Sequence, residues 1–180
     1  MSRAFVKEDD DAPDAPLPDR PLSEHPNYVT PSGLALLVAR RDELEASRLE
    51  LARQAAGGDE SARDRLRYVE RDLRYYRRRL ETAQPVDPAS REAGVVGFGA
   101  TVTVRDDAGA QSRYAIVGED EADPDTGLVS WVSPLARELE GARVGDHVVW
   151  RRPAGALGLT VVAIGHAADT TAAASGGEEA

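Results

Sequence analysis

The side chains with the most chemistry to offer in this chain are arginines. Residues 63–81 hold eight Arg against four acidic residues. A guanidinium keeps its charge at any physiological pH and pairs bidentately with carboxylates and phosphates. Arg63, Arg67, Arg71 and Arg74, followed by Arg77 and Arg78, recur at helical spacing and form a stripe along one element. One use of such a stripe is structural, pairing with acids of a neighbouring helix such as Glu43 and Glu50. The other is to meet an external anion. Tyr68, Tyr75 and Tyr76 are interleaved with the arginines, and packing accounts for them as well as base stacking does. A second group, Asp59, Glu60 and Asp64, follows the pair Gly57-Gly58. An Asp there can cap a helix, and a Glu in the first turn favours the helix dipole.

Other chemistry is excluded or thin. There is no cysteine, so disulfides and thiolate metal sites are ruled out. His25, His147 and His166 are scattered, and no stably bound metal is expected. The net charge of −10 argues against general duplex DNA binding, because neutralising phosphate needs clustered Lys and Arg. That total conceals a pattern: the segment 63–81 is locally +4, while residues 95–166 and 1–27 are each −4. No apolar run approaches the ~20 residues that span a bilayer. The stretch MSRAFVKEDDDAPDAP lacks the apolar core of a signal peptide, so a cytoplasmic protein without membrane contact is expected.

The elements that position these groups are legible from period and punctuation. Residues 1–27 are rich in Pro and Asp, and a disordered acidic tail is expected there, as it is for 167–180. Thr30 and Pro31 read as the N-cap and first residue of a helix. Leu34, Leu37, Leu44 and Leu51 follow at heptad spacing, with Arg41 and Arg48 at intervening seam positions. Gly57-Gly58 ends that helix. From Glu60 to Ala83, Leu66, Val69, Leu73, Tyr76 and Leu80 alternate spacings of three and four, the seam of a coiled coil. Two such helices joined by a short turn must run antiparallel, over roughly 35–40 Å. A coiled-coil hairpin is therefore assigned to 28–83 and a linker, containing QPVDP, to 84–94.

From Val95 the period becomes two. VVGFGATVTVRDD, SRYAIVG, GLVSWVS, HVVWRRP and LTVVAIG read as five strands, and Ser133-Pro134 opens a short helix that Gly141 stops. Trp131 and Trp150 are expected in the core of this domain, 95–166. The fold class is α+β: an antiparallel helical hairpin followed by a small antiparallel sheet with one helix.

Several stretches carry a resemblance. YVTPSGLALL, LETAQPVDP, FGATVTV and IVGEDEAD followed by SPLAR look like the GreA/GreB family of transcription elongation (transcript-cleavage) factors, over roughly residues 28–166. The resemblance implies an FKBP-like C-terminal domain without implying isomerase activity. It also implies a factor that binds RNA polymerase at its secondary channel, as a monomer and not as an enzyme in its own right. Its hairpin would reach toward the nascent RNA 3′ end in backtracked or paused complexes. Its tip acids, here Asp59, Glu60 and Asp64, would help hold Mg²⁺ in the polymerase active site, with no cofactor of the chain's own. Arg63, Arg67, Arg71 and Arg74 would face the RNA. Ser133, Pro134, Asp120 and Glu121 would abut the polymerase, with capping by Ser133 and a solvated acidic loop at 119–123 as the structural alternatives.

The tip departs from the family pattern. GGDESARDRLRYVE supplies a Gly-Asp pair but lacks the Glu-Asn-Ala that follows it in cleavage factors. Each arm is also shorter by roughly one heptad, which removes about 10 Å of reach. Mg²⁺ ligation operates at about 2.1 Å. Two rivals therefore stand beside cleavage stimulation. One is a cleavage-inactive competitor for the channel, in the manner of the short-hairpin regulators of nucleoside diphosphate kinase. The other is a stand-alone FKBP-like isomerase or chaperone, for which no aromatic-lined proline pocket is evident among the few aromatic residues.

Overall fold

Thr30 starts the first helix as expected: its hydroxyl accepts the Gly33 N–H at 3.0 Å, and Pro31 occupies the first helical position. The structure, a computed structural model, describes residues 16–87 and 92–166. Helix α1 spans Pro31–Ala56 and α2 spans Glu60–Thr82. At 1.5 Å per residue, α1 is about 39 Å long. The turn between them works because Gly58 adopts φ +96°, a conformation that L side chains rarely take.

The described residues form two compact units. One comprises 16–22 with 41–78, the other 23–40 with 79–166. The division falls at Arg40/Arg41 and Arg78/Arg79, so the base of both helices belongs with the β-rich unit. In the helical unit, Leu44 and Leu73 are buried, and so are Ala55 and Ala62 on either side of the turn. Arg41 and Arg48 occupy half-buried seam positions, as their spacing predicted. Residues 16–22, expected to lack fixed structure, carry several contacts with α2 instead. Residues 1–15, 88–91 and 167–180 lie outside the described residues, and so do the expectations for them.

The β-rich unit opens with β1, Tyr28–Val29, which pairs in parallel with β2, Gln84–Pro85. Part of the expected linker is thus a two-residue strand. Strands β3 (Ala100–Asp106), β4 (Gln111–Val117), β5 (Leu128–Ser130), β6 (His147–Arg152) and β7 (Gly155–His166) form one sheet in the order β5-β4-β3-β7-β6. The five strands are those read from the period of two. The pairing of β4 with β5 is parallel, however, with Ala115 opposite Leu128. Two single 3₁₀ turns, Glu119–Glu121 and Pro124–Thr126, carry the chain back to begin β5 alongside β4. Helix α3, Pro134–Leu139, buries Leu135, Ala136 and Leu139 among Val102, Val104 and Ile116, giving the core of this unit. Trp131 and Trp150 pack against it, as expected.

Candidate functional site

At the tip, Asp59 serves as a cap. One carboxylate oxygen accepts the Ala62 N–H at 3.1 Å and the Ser61 hydroxyl at 2.8 Å. Those hydrogen bonds, that of Ser61 above all, hold its pKa below the usual aspartate value. The other oxygen stands 4.0 Å from Arg65. Glu60 is the first residue of α2, and both it and Asp64 are exposed. Among the described residues, no three acidic or histidine side chains converge on a position for a metal ion.

The arginine stripe is partly engaged within the chain. Arg63 is exposed, and Arg67, Arg71 and Arg74 are half-buried. Arg71 donates twice to Asp72, at 3.1 and 2.9 Å, with its guanidinium 5.3 Å from the Tyr68 ring. Arg74 donates to the Asp19 carboxylate at 2.6 Å and to the Leu17 carbonyl at 2.8 Å. Arg77 reaches Glu45 on α1 at 3.1 Å, while Glu50 pairs along its own helix with Arg53 at 2.8 Å. The acids that answer the stripe thus include Glu45 and Asp19, and Glu50 turns to its own helix.

In the β-rich unit the carboxylates of Asp120 and Glu121, the residues expected to abut a partner, are engaged within the chain, while Asp123 on the same loop is exposed. Glu121 is 9% exposed. One of its oxygens accepts the Thr30 N–H at 3.0 Å and the Gly118 N–H at 3.3 Å; the other accepts the Thr30 hydroxyl. A carboxylate is well placed there, beside the unsatisfied N–H groups that begin α1. The site is tight: a Cβ on Gly33 would lie 1.9 Å from Glu121 Oε1. Asp120 accepts a short hydrogen bond from Arg79 Nε, and Glu119 stands 3.7 Å from the same guanidinium. The Arg79 side chain is 4% exposed. This buried ion pair compensates charges that would be costly alone. Asn27 completes the joint by donating to the Arg79 carbonyl at 2.7 Å. Arg79, Thr30, Gly33 and Asn27 hold this joint together, and of them only Thr30 carried a local signal, as a cap.

Ser133 caps α3, its hydroxyl accepting the Ala136 N–H at 3.2 Å, and Pro134 is exposed. Beside them lies a cavity of about 320 Å³ lined by Tyr28, Phe98, Ile116, Trp131, Ala136 and Glu140, among others. The Tyr28 and Trp131 ring centroids are 5.1 Å apart. An aromatic-lined recess was not evident from composition, because its rings come from three separate segments of chain.

Comparison with known proteins settles the family. Residues 91–166 match the model of the GreA/GreB transcription elongation factor C-terminal domain. The transcription elongation factor GreB of Neisseria meningitidis serogroup B is 38% identical over 158 residues, covering 79% of this chain and 95% of that protein. The chain belongs to the GreA/GreB family. A GreB of Xanthomonas axonopodis pv. citri is likewise 38% identical, over 82% of this chain and 95% of that protein. Among solved structures, the GreA factor homolog 1 of Thermus thermophilus is 26% identical over 78% of this chain and 99% of that one, with a TM-score of 0.37. Within a GreA/GreB frame, the acidic IVGEDEAD stretch is a structural joint. Ser133 and Pro134 remain at the surface, and the tip acids and the upper stripe lie together on the helical unit. Among the described residues, no helix is long and apolar enough to cross a membrane.

Proposed function

We propose that this chain is a transcription elongation regulator that binds bacterial RNA polymerase at its secondary channel and modulates backtracked or paused complexes. The observation that carries this reading is the 38% identity to GreB over 158 residues, which extends across both hairpin and sheet. Pro134 is exposed, and the aromatic recess beside it has room for an apolar side chain of a partner. That recess removes the composition argument against a prolyl-peptide binder. Family membership is the ground for preferring the polymerase.

Two forms of modulation are distinguished at the tip. In one, Asp59, Glu60 and Asp64 complete the coordination of Mg²⁺ in the polymerase, and Arg63, Arg67 and their neighbours face the RNA 3′ end. In the other, the chain occupies the channel without promoting cleavage. The second form is favoured by the Asp59 oxygen committed to Ser61 and Ala62, and by the missing Glu-Asn-Ala. A backtracked elongation complex with Mg²⁺ separates them. RNA shortening that disappears with Glu60→Ala and Asp64→Ala supports cleavage. No shortening, with displacement of an authentic cleavage factor, supports the competitor. Failure to bind polymerase at all refutes both.

A further inference from the structure

Alternation along the strands divides the five-stranded sheet into two faces with different surroundings. Val102, Val104, Leu159 and Val161 join α3 in the core, and Tyr114 and Trp150 pack against them. The register sets the composition of the other face. Arg105 on β3 lies opposite Gln111 on β4 and Thr160 on β7, and Thr160 lies opposite His147 on β6. Thr103 lies opposite Arg113, and Gly158 lies opposite Val149. Two residues beyond Val149, Arg151 returns to the same face. Arg105, Gln111, Arg113, His147, Val149 and Arg151 are all exposed, so this part of the face is open to solvent.

Its charge runs against that of the domain, which is −4 over residues 95–166. Three arginines and a histidine meet here within four strands, about 14 Å across. Among the described residues, the guanidinium groups of Arg105 and Arg113 have no ion pair or hydrogen bond. They stand at diagonal positions of neighbouring strands, about 7–8 Å apart. Arg151 lies 3.7 Å from Glu138. One acid, Asp107, joins the face and stands 3.8 Å from His147. Both side chains lie over Gly158, where a Cβ would come within 2.6 Å of Asp107 Oδ2 and 2.8 Å of His147 Nε2. Other acids of the domain are engaged elsewhere. Glu119, Asp120 and Glu121 belong to the joint with Arg79 and Thr30. Asp106 accepts the Ala108 and Ala110 N–H groups of its own turn, and Asp146 accepts the Arg143 N–H.

A guanidinium fork fits carboxylates and phosphates alike. Two observations favour the carboxylates of a protein. The strand positions that make up this face carry no aromatic ring, whereas single-stranded nucleic acid binds on stacking platforms. Its middle holds Val149, 41% exposed, with Thr103 and Thr160 nearby. An apolar contact edged by arginines is the make-up of a protein interface.

We propose that this open sheet face, with Arg105, Arg113 and Val149 at its centre, docks an acidic protein surface of the polymerase, in addition to any contact made by Ser133 and Pro134. The proposal rests on the polymerase reading for the identity of the partner.

The test measures binding of the full chain to immobilised bacterial core RNA polymerase without nucleic acid. The variants are Arg105→Gln/Arg113→Gln, Arg105→Lys/Arg113→Lys and a charge-matched control, Ala35→Glu/Ala39→Glu, at exposed positions of α1. The glutamine pair and the control each make the net charge more negative by the same amount. At 50 mM salt the glutamine pair is expected to bind about four- to twentyfold more weakly, from about two- to fivefold for each exposed ion pair lost. The difference should shrink as salt rises, because exposed charges are screened. The lysine pair is expected to recover most of the affinity, and the control to stay within about twofold of the parent chain, as distant exposed charges act weakly. Thermal unfolding, followed for every variant, should match the parent. Parent-like binding by the glutamine pair overturns the proposal, and so does an equal loss in the control. A lysine pair as weak as the glutamine pair, with unfolding unchanged, overturns the charge-led contact. Binding of a labelled RNA 12-mer that weakens in the glutamine pair, while polymerase binding does not, makes the face a phosphate surface and overturns the protein partner. Failure of the parent chain to bind polymerase refutes the proposed function itself, and the assigned partner with it.

Discussion

Gly33 offers a test in which helix propensity and the structure predict opposite signs. It lies in the first turn of α1, and replacing a helical Gly by Ala ordinarily stabilises by up to about 1 kcal/mol. Here the new Cβ would lie 1.9 Å from Glu121 Oε1 and 2.0 Å from its carboxyl carbon. The carboxylate must then move away from the Thr30 and Gly118 N–H groups it now satisfies at 3.0 and 3.3 Å. Leaving two buried donors without an acceptor costs roughly 2–4 kcal/mol. Gly33→Ala should therefore destabilise by about 1–3 kcal/mol net of the propensity gain. Glu121→Ala should cost a similar amount by removing the same acceptor. In the Glu121→Ala background the clash is gone, so Gly33→Ala should change sign and stabilise. The assay is a double-mutant cycle by urea denaturation, followed through Trp131 and Trp150, which both belong to the unit containing Gly33 and Glu121. If Gly33→Ala stabilises the parent chain, or has the same effect in both backgrounds within about 0.5 kcal/mol, the buried carboxylate joint is wrong.

Two further perturbations separate structural from exposed charges. Arg79→Ala leaves Asp120 and Glu119 without their buried cation and should cost about 3–5 kcal/mol in thermal or denaturant unfolding. Arg77→Ala, which loses only the exposed contact with Glu45, should cost about 0–1 kcal/mol. Equal losses for the two would refute the distinction. Asp59, whose pKa is lowered by its bonds to Ser61 and Ala62, contributes helix stability that is full above the ordinary aspartate range, roughly pH 4. That contribution is lost as pH falls through the lowered folded value. Asp59→Asn keeps a cap without a titrating group. Its helical circular dichroism should match the parent chain at neutral pH and lack the acid-dependent component. Identical acid titrations would show that the cap does not titrate.

What could be read from the sequence, and what could not, divides along the range of the interactions. Both helices, their seam, the caps at Thr30 and Ser133 and the five strands of the sheet announce themselves within a window of a few residues, because period and punctuation are local. The parallel pairing of β4 with β5 does not, since two strand patterns look alike in either direction. The acidic stretch at 119–123 was read as a surface loop because charge runs are usually solvated. Its partners, Arg79 at a separation of 41 residues and Thr30 at 91, are invisible to any local pattern. Arg79 was equally hidden, being one of eight arginines between residues 63 and 81. The consequence reaches the functional reading. The family resemblance implied that the acidic loop abuts the polymerase and the basic stripe faces RNA, with a solvated loop and pairing to acids of the first helix as the alternatives. The folded chain spends the ends of both on itself: Arg79 holds the acidic loop, and Asp19 holds Arg74. Among the candidate residues that stay outward are Glu60, Asp64 and Arg63 near the tip and Pro134 beside the aromatic recess. Variants at those four positions, which carry little of the fold, are the ones whose loss of polymerase binding or RNA cleavage can be read as function and not as unfolding.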